Sequence, residues 1–573
     1  MTRRWLFILT GLMFGCAVAS QPGTIHEYPP GYAVASAHPL ATDAGLEILA
    51  AGGNAFDAVV AVSAALAVVE PYHSGLGGGG FWLLHRAKDK KNIVIDGREV
   101  APLRARKDMY LDKDGKPVPG LSLNGGLAAA IPGEPAALAY IAEHYGRLPL
   151  AKSLAPAIRL AENGFPIDQQ FYYFSTMDDR LQQLRRFPAT VKIFLHNGNP
   201  YQRGEWLLQP DLAKTLRSLA EKGHAGFYRG EVAKRLVKGV QEAGGIWIMD
   251  DLARYQVKVR EPLVGAFHNM LIVTTPPPSA GGVSLLIMLN ILANYPLQTF
   301  SEVMRIHYVV EAMRLAYWQR MEILADPDFV KLPVERLISA GYAAKLRAFI
   351  SPDKATPSTS FQGKNPVNDD SHTTHISILD AQGNRVAATL SINFIFGSSV
   401  VAEGTGVLLN DEMDDFAIKT GESNVFGIVG SDANAIEPGK RPLSSMTPTF
   451  LEMPGRVAIL GTPGGSRIPT MVLLASLVFS DYKGAISMVS RMRFHHQYLP
   501  DVLQFEPETF SPKLQGKLQD MGYHLMALKQ YFGDMQAITW DKWSNIITAA
   551  SDPRHIGRAT AVTKNEGNYG VRY

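Results

Sequence analysis

A junction near position 372 constrains this chain more than any other feature of its sequence. Residues 351–371, SPDKATPSTSFQGKNPVNDDS, are rich in Ser, Thr, Pro, Asn and Asp, which is typical of an exposed linker. Residues 373–380 and 385–392 then have the alternating pattern of β-strands, and the residues between them, AQGN, are typical of a turn. The pattern predicts a linker that leads directly into a β-hairpin.

The register of this hairpin decides what lies opposite its first residue. If Asp380 pairs with Arg385, Thr373 faces Ile392. Ser391 and Asn393 then lie on either side, and a register shift of one residue would change which of them faces Thr373. A hydroxyl at the start of the first strand is thus expected among polar residues of the second.

Thr373 has a chemical interpretation besides its structural one. A Thr hydroxyl is a weak nucleophile unless a base lies beside it, and the α-amine of an N-terminal Thr, with a pKa of ~7.7 to 8.0, is such a base. Since Thr373 is internal, this chemistry requires the chain to cut itself between His372 and Thr373. The hairpin alone favours the simpler interpretation, a Thr that caps a strand.

Residues 1–20 are predicted to be a cleaved signal peptide. Arg3 and Arg4 precede an apolar run, Trp5 to Phe14, and small residues follow at positions 17, 19 and 20. A membrane anchor is the alternative, but the uncharged stretch is shorter than the ~20 residues that a spanning helix needs. Lipid attachment at Cys16 is a minor alternative. We therefore expect a periplasmic protein with no stable membrane span.

Composition excludes several classes of protein. Lys plus Arg is 56 and Asp plus Glu is 53, so the net charge is 56 − 53 = +3, and nucleic acid is not an expected partner. Cys16 is the only cysteine, which excludes an intrachain disulfide framework, Cys-based zinc sites and iron–sulfur clusters. The sequence leaves hydroxyl, carboxylate, His or backbone chemistry, and we expect no cofactor and no metal ion.

Local patterns predict several secondary structure elements. Residues 44–51 and 55–70 are expected to form a helical hairpin, with Gly52-Gly53-Asn54 ending one helix and capping the next. Residues 81–84 and 93–95 are predicted strands, and the stretch 148–319 is predicted to be largely helical. Gly75 to Gly80 match G-x-G-x-x-G, but they follow a helix and precede a strand, so they predict a tight turn and not a dinucleotide loop.

Three further motifs could build a site. Gly464 and Gly465 follow the predicted strand 457–460, and consecutive glycines can form an oxyanion site or an ordinary turn. Residues 411–415, DEMDD, and 441–445, RPLSS, could clamp a zwitterion, although an acidic cluster is more often a solvated surface. His495 and His496 are interpreted as structural and not as metal ligands, because adjacent side chains diverge.

Taken together, the motifs resemble the γ-glutamyltransferase (γ-glutamyltranspeptidase) family of the N-terminal nucleophile hydrolase superfamily. The similarity runs from about Gly31 to Arg554. Its pieces, in order, are Gly52-Gly53-Asn54-Ala55, Gly77-Gly78-Gly79-Gly80-Phe81, Asp96-Gly97-Arg98-Glu99, Pro276-Pro277-Pro278-Ser279, Thr373-Thr374-His375, Leu409-Asn410 with Met413-Asp414-Asp415-Phe416, Arg441-Pro442-Leu443-Ser444-Ser445-Met446, Pro463-Gly464-Gly465-Ser466-Arg467 and Arg493-Phe494-His495-His496-Gln497.

The resemblance implies a role for each site residue. Thr373 would be the nucleophile, released by self-cleavage after His372, and Gly464 and Gly465 would supply the oxyanion N–H groups. Arg98, Ser444 and Ser445 would hold the α-carboxylate of the donor. Asn393, Glu412 and Asp415 would hold its α-amine.

Two positions depart from the family pattern. Ser391 stands where many members have a Thr that hydrogen-bonds the nucleophile, and because it keeps the hydroxyl we expect it to serve the catalytic site. Phe426 stands where some bacterial members have a lid Tyr. Without the phenolic oxygen it cannot make the same hydrogen bond, so lid closure does not follow from the resemblance.

The resemblance also implies a fold and a division of the chain. The fold would be an α/β (α+β) four-layer αββα sandwich whose central sheets take strands from both fragments. Residues 1–20 would be the signal peptide, 21–372 the large subunit and 373–573 the small subunit, which begins with the nucleophile. The two fragments would form one folded heterodimer.

The leading function is an exported enzyme that takes the γ-glutamyl group from glutathione and related compounds and passes it to water or to amino-acid or peptide acceptors. A cephalosporin (glutaryl) acylase is the closest alternative, and Asp415 disfavours it because a glutaryl group has no ammonium. A poly-γ-glutamate processing enzyme stays open. An inactive periplasmic amino-acid binding protein, from a different class, is disfavoured by the intact Thr373, Gly464 and Gly465.

Overall fold

The structure is a computed structural model that describes residues 25–358, 373–565 and 568–572. The predicted signal peptide and His372 lie outside the described residues. Numbered in chain order, the strands are β1 (Gly31–Ser36), β2 (Gly79–Arg86), β3 (Lys91–Gly97), β4 (Phe165–Pro166), β5 (Leu195–His196), β6 (Asn199–Pro200), β7 (Trp206–Leu207), β8 (Lys258–Arg260), β9 (Leu263–Phe267), β10 (Met270–Thr274), β11 (Thr374–Leu379), β12 (Arg385–Ser391), β13 (Thr449–Met453), β14 (Arg456–Gly461), β15 (Phe494–His495), β16 (Leu503–Phe505), β17 (Leu525–Ala527), β18 (Gln536–Asp541), β19 (Ile546–Ser551), β20 (Arg558–Asn565) and β21 (Asn568–Arg572).

The helices surround these strands. They are α1 (Pro39–Ala50), α2 (Ala55–Val69), α3 (Glu134–Tyr145), α4 (Leu150–Asn163), α5 (Gln169–Ser175), α6 (Asp178–Leu184), α7 (Pro188–Phe194), α8 (Pro210–Lys222), α9 (Ala225–Tyr228), α10 (Gly230–Glu242), α11 (Met249–Arg254), α12 (Gly281–Leu292), α13 (Glu302–Ile323), α14 (Val334–Leu337), α15 (Ala340–Arg347), α16 (Ile468–Ser480), α17 (Ala485–Val489) and α18 (Pro512–Asp520). Short 3-10 helices lie at Ala87–Asp89, Gly126–Ala128, Glu412–Asp415, Asp432–Asn434 and Gly465–Arg467. None of the helices in the described ranges is both long and apolar enough to cross a bilayer.

Two large sheets form the centre of the molecule. The eight-stranded sheet has the order β21-β20-β1-β11-β12-β2-β3-β8, and the six-stranded sheet has the order β19-β18-β14-β13-β10-β9. Both sheets take strands from before and after residue 373. A chain break at that position would therefore leave two fragments that share both sheets.

Alternating side chains divide the core into layers. On β2, Trp82 and Leu84 join a cluster with the helices α1 to α4, whereas Phe81 and Leu83 join a cluster between the two sheets. The outer face of the six-stranded sheet packs in a third cluster against helices that include α12, α13 and α16. Because successive strand residues point to opposite faces, each sheet buries both of its faces. The result is the αββα sandwich that the resemblance implied, and the predicted fold class is confirmed.

The predicted helical hairpin is present, with a different start. The side chain of Asn54 accepts hydrogen bonds from two N–H groups in the first turn of α2, and Asp57 completes a capping box. The first helix, α1, begins at Pro39, earlier than predicted, because the ring of His38 caps it. The prediction of a largely helical stretch at 148–319 overlooked the two-residue strands β4 to β7 and the longer strands β8, β9 and β10.

The predicted register of the β11–β12 hairpin is wrong by one residue. Leu379 and not Asp380 pairs with Arg385, and Thr374 pairs with Leu390. Asp380 and Asn384 close the turn around residues 381–383, and the N–H of Asp380 donates to the Asn384 carbonyl over 3.0 Å. The three-residue loop that results needs the left-handed φ of 85° at its glycine, position 383. The shift brings Thr373 opposite Ser391.

Candidate active site

The candidate nucleophile lies at the entrance to β11. Thr373 is 5% exposed, and its hydroxyl oxygen lies 3.4 Å from the hydroxyl oxygen of Ser391. The Ser391 oxygen also accepts a hydrogen bond from the backbone N–H of Asn393 over 2.8 Å. Asn393 has a left-handed φ of 73°, so the chain turns sharply after β12. The observed register therefore places the hydroxyl of Ser391 next to that of Thr373, as the resemblance to the family implied.

A buried carboxyl group supports the strand next to Thr373. The hydroxyl of Thr374 donates to Oε2 of Glu70, at the end of α2, over 3.1 Å. Burial raises the pKa of Glu70 to about 8. Glu70 was not predicted from the sequence, because no motif distinguishes this residue from an ordinary helix terminus.

The glycine pair lies at the end of β14. Gly464 has a φ of 141° and Gly465 a φ of 50°, and Gly465 begins the short helix that leads into α16. The hydroxyl of Tyr317 donates to the carbonyl of Ser466 and supports this turn from α13. Consecutive backbone N–H groups in such a turn can bind developing negative charge.

Most of the predicted residues line one cavity. They are Arg98, Thr373, Ser391, Asn393, Glu412, Asp415, Ser444, Ser445 and Gly465, and Phe426, Met446 and Ile468 complete the lining. Gly464 directly precedes Gly465 in the chain but does not line the cavity. The structure therefore brings together residues from distant parts of the chain around the hydroxyl of Thr373.

The charged residues of this cavity pair with one another. Arg98 is fully buried, and it donates from Nη1 to Glu412 and from Nη2 to Oδ2 of Asp415, the latter over 2.5 Å. Glu99 lies 3.5 Å from the same guanidinium. Buried charges are costly unless they are paired, and these pairs meet that requirement. The resemblance implied that Arg98 holds the donor's carboxylate and that Glu412 and Asp415 hold its amine. In the structure these residues are in direct contact with one another and do not form two separate sites.

Burial and pairing shift the proton affinities of this group. Burial alone would lower the pKa of Arg98, but the charges of Glu412 and Asp415 raise it above its usual value. Burial raises the pKa of Glu412 to about 7, against the opposing effect of Arg98. The pKa of Asp415 is also raised by burial. The site therefore contains a carboxyl group that can change charge near neutral pH.

The hydroxyl oxygen of each of the two serines accepts a hydrogen bond. The N–H of Ser444 donates to the carbonyl of Pro278 over 2.9 Å, which gives the Pro-rich motif a structural role. Oγ of Ser444 accepts from the N–H of Met446 over 3.1 Å. Oγ of Ser445 accepts from Nη2 of Arg320 over 3.0 Å. Nothing in the local sequence around Arg320 distinguishes it from other charged helix residues, and the sequence analysis missed it.

We call residues 417–431 the lid segment, and it covers the cavity without a lid tyrosine. Phe426 is 7% exposed, and a Cβ placed on Gly465 would come within 2.7 Å of its ring. Nδ2 of Asn424 donates to Oδ1 of Asp415 over 3.1 Å, and Nε2 of Gln497 donates to the Phe426 carbonyl over 3.2 Å. The contacts that hold the segment therefore use amide side chains and backbone in place of a phenolic oxygen.

The adjacent histidines have separate structural partners. The Nδ1 atom of His495 lies 2.9 Å from the hydroxyl of Thr470, and its Nε2 atom lies 2.9 Å from Oε1 of Gln497. His496 pairs with Asp501 over 3.2 Å. No cluster of three or more metal-binding side chains occurs within residues 25–358 and 373–565.

Comparisons with known proteins give a consistent family. A sequence model of the family described as Gamma-glutamyltranspeptidase matches residues 41–562. The chain is 43% identical over 496 residues to a glutathione hydrolase proenzyme of Pseudomonas sp. strain A14, covering 85% of each chain. It is 40% identical to the Escherichia coli K12 glutathione hydrolase proenzyme, covering 92% of this chain and 91% of that one.

Solved structures agree with the fold. A cephalosporin acylase from Bacillus halodurans superposes with a TM-score of 0.81 at 27% identity, covering 96% of this chain and 99% of that chain. A Helicobacter pylori gamma-glutamyltranspeptidase superposes with a TM-score of 0.54 at 42% identity, covering 56% of this chain and 92% of that chain.

Proposed function

We propose that this chain, which belongs to the γ-glutamyltranspeptidase family, is an exported, self-processing enzyme that removes the γ-glutamyl group from glutathione and related compounds. The group would pass to water or to an amino-acid or peptide acceptor. The observation that carries the proposal is the single cavity in which the hydroxyl of Thr373 lies with the charges of Arg98, Glu412 and Asp415. A γ-glutamyl donor has a reactive amide at one end and a zwitterion at the other.

The proposed reaction begins at Thr373. Its Oγ1 attacks the γ-carbonyl carbon, while the α-amine freed by self-cleavage takes the hydroxyl proton. The N–H groups of Gly464 and Gly465 stabilise the oxyanion, and the hydroxyl of Ser391 orients the nucleophile. The C–N bond breaks, the amine leaves with the proton, and a γ-glutamyl ester forms on Thr373. Water or an amine then attacks the ester, and Oγ1 regains its proton.

The charged end of the cavity supports the choice of donor. Arg98, Ser444 and Ser445 would bind the α-carboxylate, and Asn393, Glu412 and Asp415 would bind the α-ammonium. Because the carboxylates now pair with Arg98, a zwitterion can replace these contacts charge for charge: its carboxylate takes the guanidinium and its ammonium takes the carboxylates.

Self-cleavage between His372 and Thr373 is part of the proposal. The hydroxyl of Thr373 would attack the His372 carbonyl, the amide would become an ester, and water would complete the cut. Residues 21–372 and 373–573 would then remain together as a heterodimer, since both sheets take strands from either side of the cut. The relatives at 40 and 43% identity are named proenzymes, which supports this order of events.

A glutaryl acylase is the second candidate, favoured by the similarity to the Bacillus halodurans cephalosporin acylase. A glutaryl group has a carboxylate but no ammonium, so Glu412 and Asp415 would be left without a cationic partner from the donor. Two carboxylates in the cavity therefore favour the γ-glutamyl donor.

The test compares donors on the purified full-length protein. A denaturing gel should show two bands, and N-terminal sequencing of the smaller fragment should begin at Thr373. A γ-glutamyl anilide should be cleaved with a kcat/KM at least ~10-fold above that for the matching glutaryl anilide, since one charge-assisted contact is worth about 1.4 kcal/mol or more. Preference for the glutaryl donor would replace the proposal with the acylase alternative.

A further inference from the structure

Arg320 is a buried cation next to the site that the proposed reaction does not use. It lies on α13, is 4% exposed, and donates from Nη2 to Oγ of Ser445 over 3.0 Å. Tyr317, almost one helical turn earlier on α13, donates to the Ser466 carbonyl beside the glycine pair. Residues three apart share a helix face, so one face of α13 supports both ends of the cavity.

The hydrogen bond from Arg320 determines how Ser445 can act. A hydroxyl has one hydrogen to donate, and its oxygen can accept. Ser444 accepts from a backbone N–H, that of Met446, and Ser445 accepts from Arg320. Each serine thus has a donor at its oxygen, which favours an orientation in which its own hydrogen points away from that donor. Both serines line the cavity, whereas Arg320 lies outside that lining and borders a neighbouring cavity that Asp415 also lines.

The charges around Arg320 also favour an anion. Burial lowers the pKa of Arg320, and the nearby charge of Arg98 acts in the same direction, while Tyr317 and Asp415 oppose it. The guanidinium groups of Arg98 and Arg320 repel each other, Asp415 already offsets part of that repulsion, and a carboxylate bound to the two serines would offset more of it.

We propose that Arg320 is a positioning residue for the α-carboxylate of the donor: it holds the Ser445 hydroxyl as a donor and adds positive charge next to it. This inference rests on the proposed function, and it concerns the carboxylate and not the ammonium. The distinction makes it testable with donors that carry only one of the two groups.

The experiment uses three anilides, γ-glutamyl, glutaryl and 4-aminobutanoyl, which carry both groups, the carboxylate alone and the amine alone. Arg320→Met should raise KM about tenfold for the first two donors, with kcat nearly unchanged, and should leave the third unaffected. Arg320→Lys keeps a charged donor and should retain part of the binding. Two bands on a gel and an unchanged melting temperature serve as controls for processing and folding.

A double-mutant cycle tests whether Arg320 acts through Ser445. In a Ser445→Ala background, Arg320→Met should have clearly less than its effect in the wild-type background. Additive effects, or equal losses on all three donors, would overturn the inference while leaving the proposed function intact. If Arg320→Met does not mature, Ser445→Ala and Arg320→Lys take its place. Both must raise KM for the γ-glutamyl and glutaryl donors and leave the 4-aminobutanoyl donor unaffected, or the inference fails. A wild type that cleaves none of the three donors overturns both proposals.

Discussion

The two ends of the cavity are built in different ways. At one end, Thr373, Ser391 and the glycine pair are neutral, and strand register and left-handed backbone conformations determine their positions. At the other end, Arg98 and Glu412 are buried, Asp415 is partly buried, and the three charged groups pair across long stretches of chain. Backbone geometry cannot adapt to a ligand, whereas ion pairs can exchange partners. The neutral end is therefore suited to chemistry and the charged end to recognition.

The difference also affects how each end tolerates substitution. Removing one member of a buried ion pair leaves an uncompensated charge, which costs about 3 to 5 kcal/mol. Replacing one of the two carboxylates by its amide keeps the shape and leaves Arg98 with the other carboxylate as its partner, so the cost should be smaller. Substitutions at the neutral end should therefore change kcat. Replacement of a carboxylate by its amide at the charged end should change which donor the enzyme accepts.

The largest effect is expected for Thr373→Ala at the neutral end. Without the hydroxyl neither self-cleavage nor the ester intermediate can form, so the protein should remain one chain and activity should fall by at least about 10³-fold. A denaturing gel and an assay with the γ-glutamyl anilide measure both effects. A fragment that still begins at position 373 would show that cleavage is not intramolecular.

Gly465→Ala should have the next largest effect. Gly465 has a φ of 50°, and its Cβ would come within 2.7 Å of the Phe426 ring, so the turn and its N–H groups must shift. Loss of one oxyanion contact lowers kcat by about 10² to 10³-fold, with little change in KM. Gly341→Ala is the matched control, because a Cβ there meets nothing within 4 Å.

A rise in KM at constant kcat in Gly465→Ala would assign this glycine to binding and would remove the contrast between the two ends. The comparison must use the fraction of protein that has matured, measured on the same gel.

Asp415→Asn should give a smaller effect that depends on the donor. The variant loses a charge-assisted contact with the α-ammonium, so kcat/KM for the γ-glutamyl anilide should fall at least ~10-fold. Activity on the glutaryl anilide should stay level or rise, because repulsion of its carboxylate decreases. Asp432→Asn, at an exposed carboxylate directly after the lid segment, is the control. Equal losses on both donors would mean that Asp415 supports the fold and not recognition.

The smallest effect is a pH dependence of donor binding. Burial raises the pKa of Glu412 to about 7, so this carboxyl group is neutral below that pH and anionic above it. The α-ammonium is attracted only by the anionic form of Glu412. KM for the γ-glutamyl anilide should therefore rise by roughly 3-fold or more as the pH falls through the pKa of Glu412. Glu412→Gln should remove this step from the profile. A step that persists in Glu412→Gln belongs to another group.

The sequence predicted much of the fold where short-range chemistry decides the structure. The cap at Asn54 and the hairpin after the linker are both present, because capping and turn formation depend on neighbouring residues. The hairpin register was predicted one residue out, because Asp380 joins the turn through Asn384 and does not pair as a strand residue. The strands β4 to β10 were missed within a stretch that is largely helical.

Residue types and motifs, read with the family resemblance, determined the candidate nucleophile, the glycine pair and the residues proposed to bind the zwitterion. Only the tertiary structure decided how they meet. Arg98 contacts Glu412 and Asp415 across 314 and 317 positions of the chain, and Arg320 reaches Ser445 across 125. Local sequence patterns describe interactions over a few residues, whereas these contacts depend on which layers of the sandwich pack together. That is why the charged residues could be named from the sequence while their pairing, and the role of Arg320, required the fold.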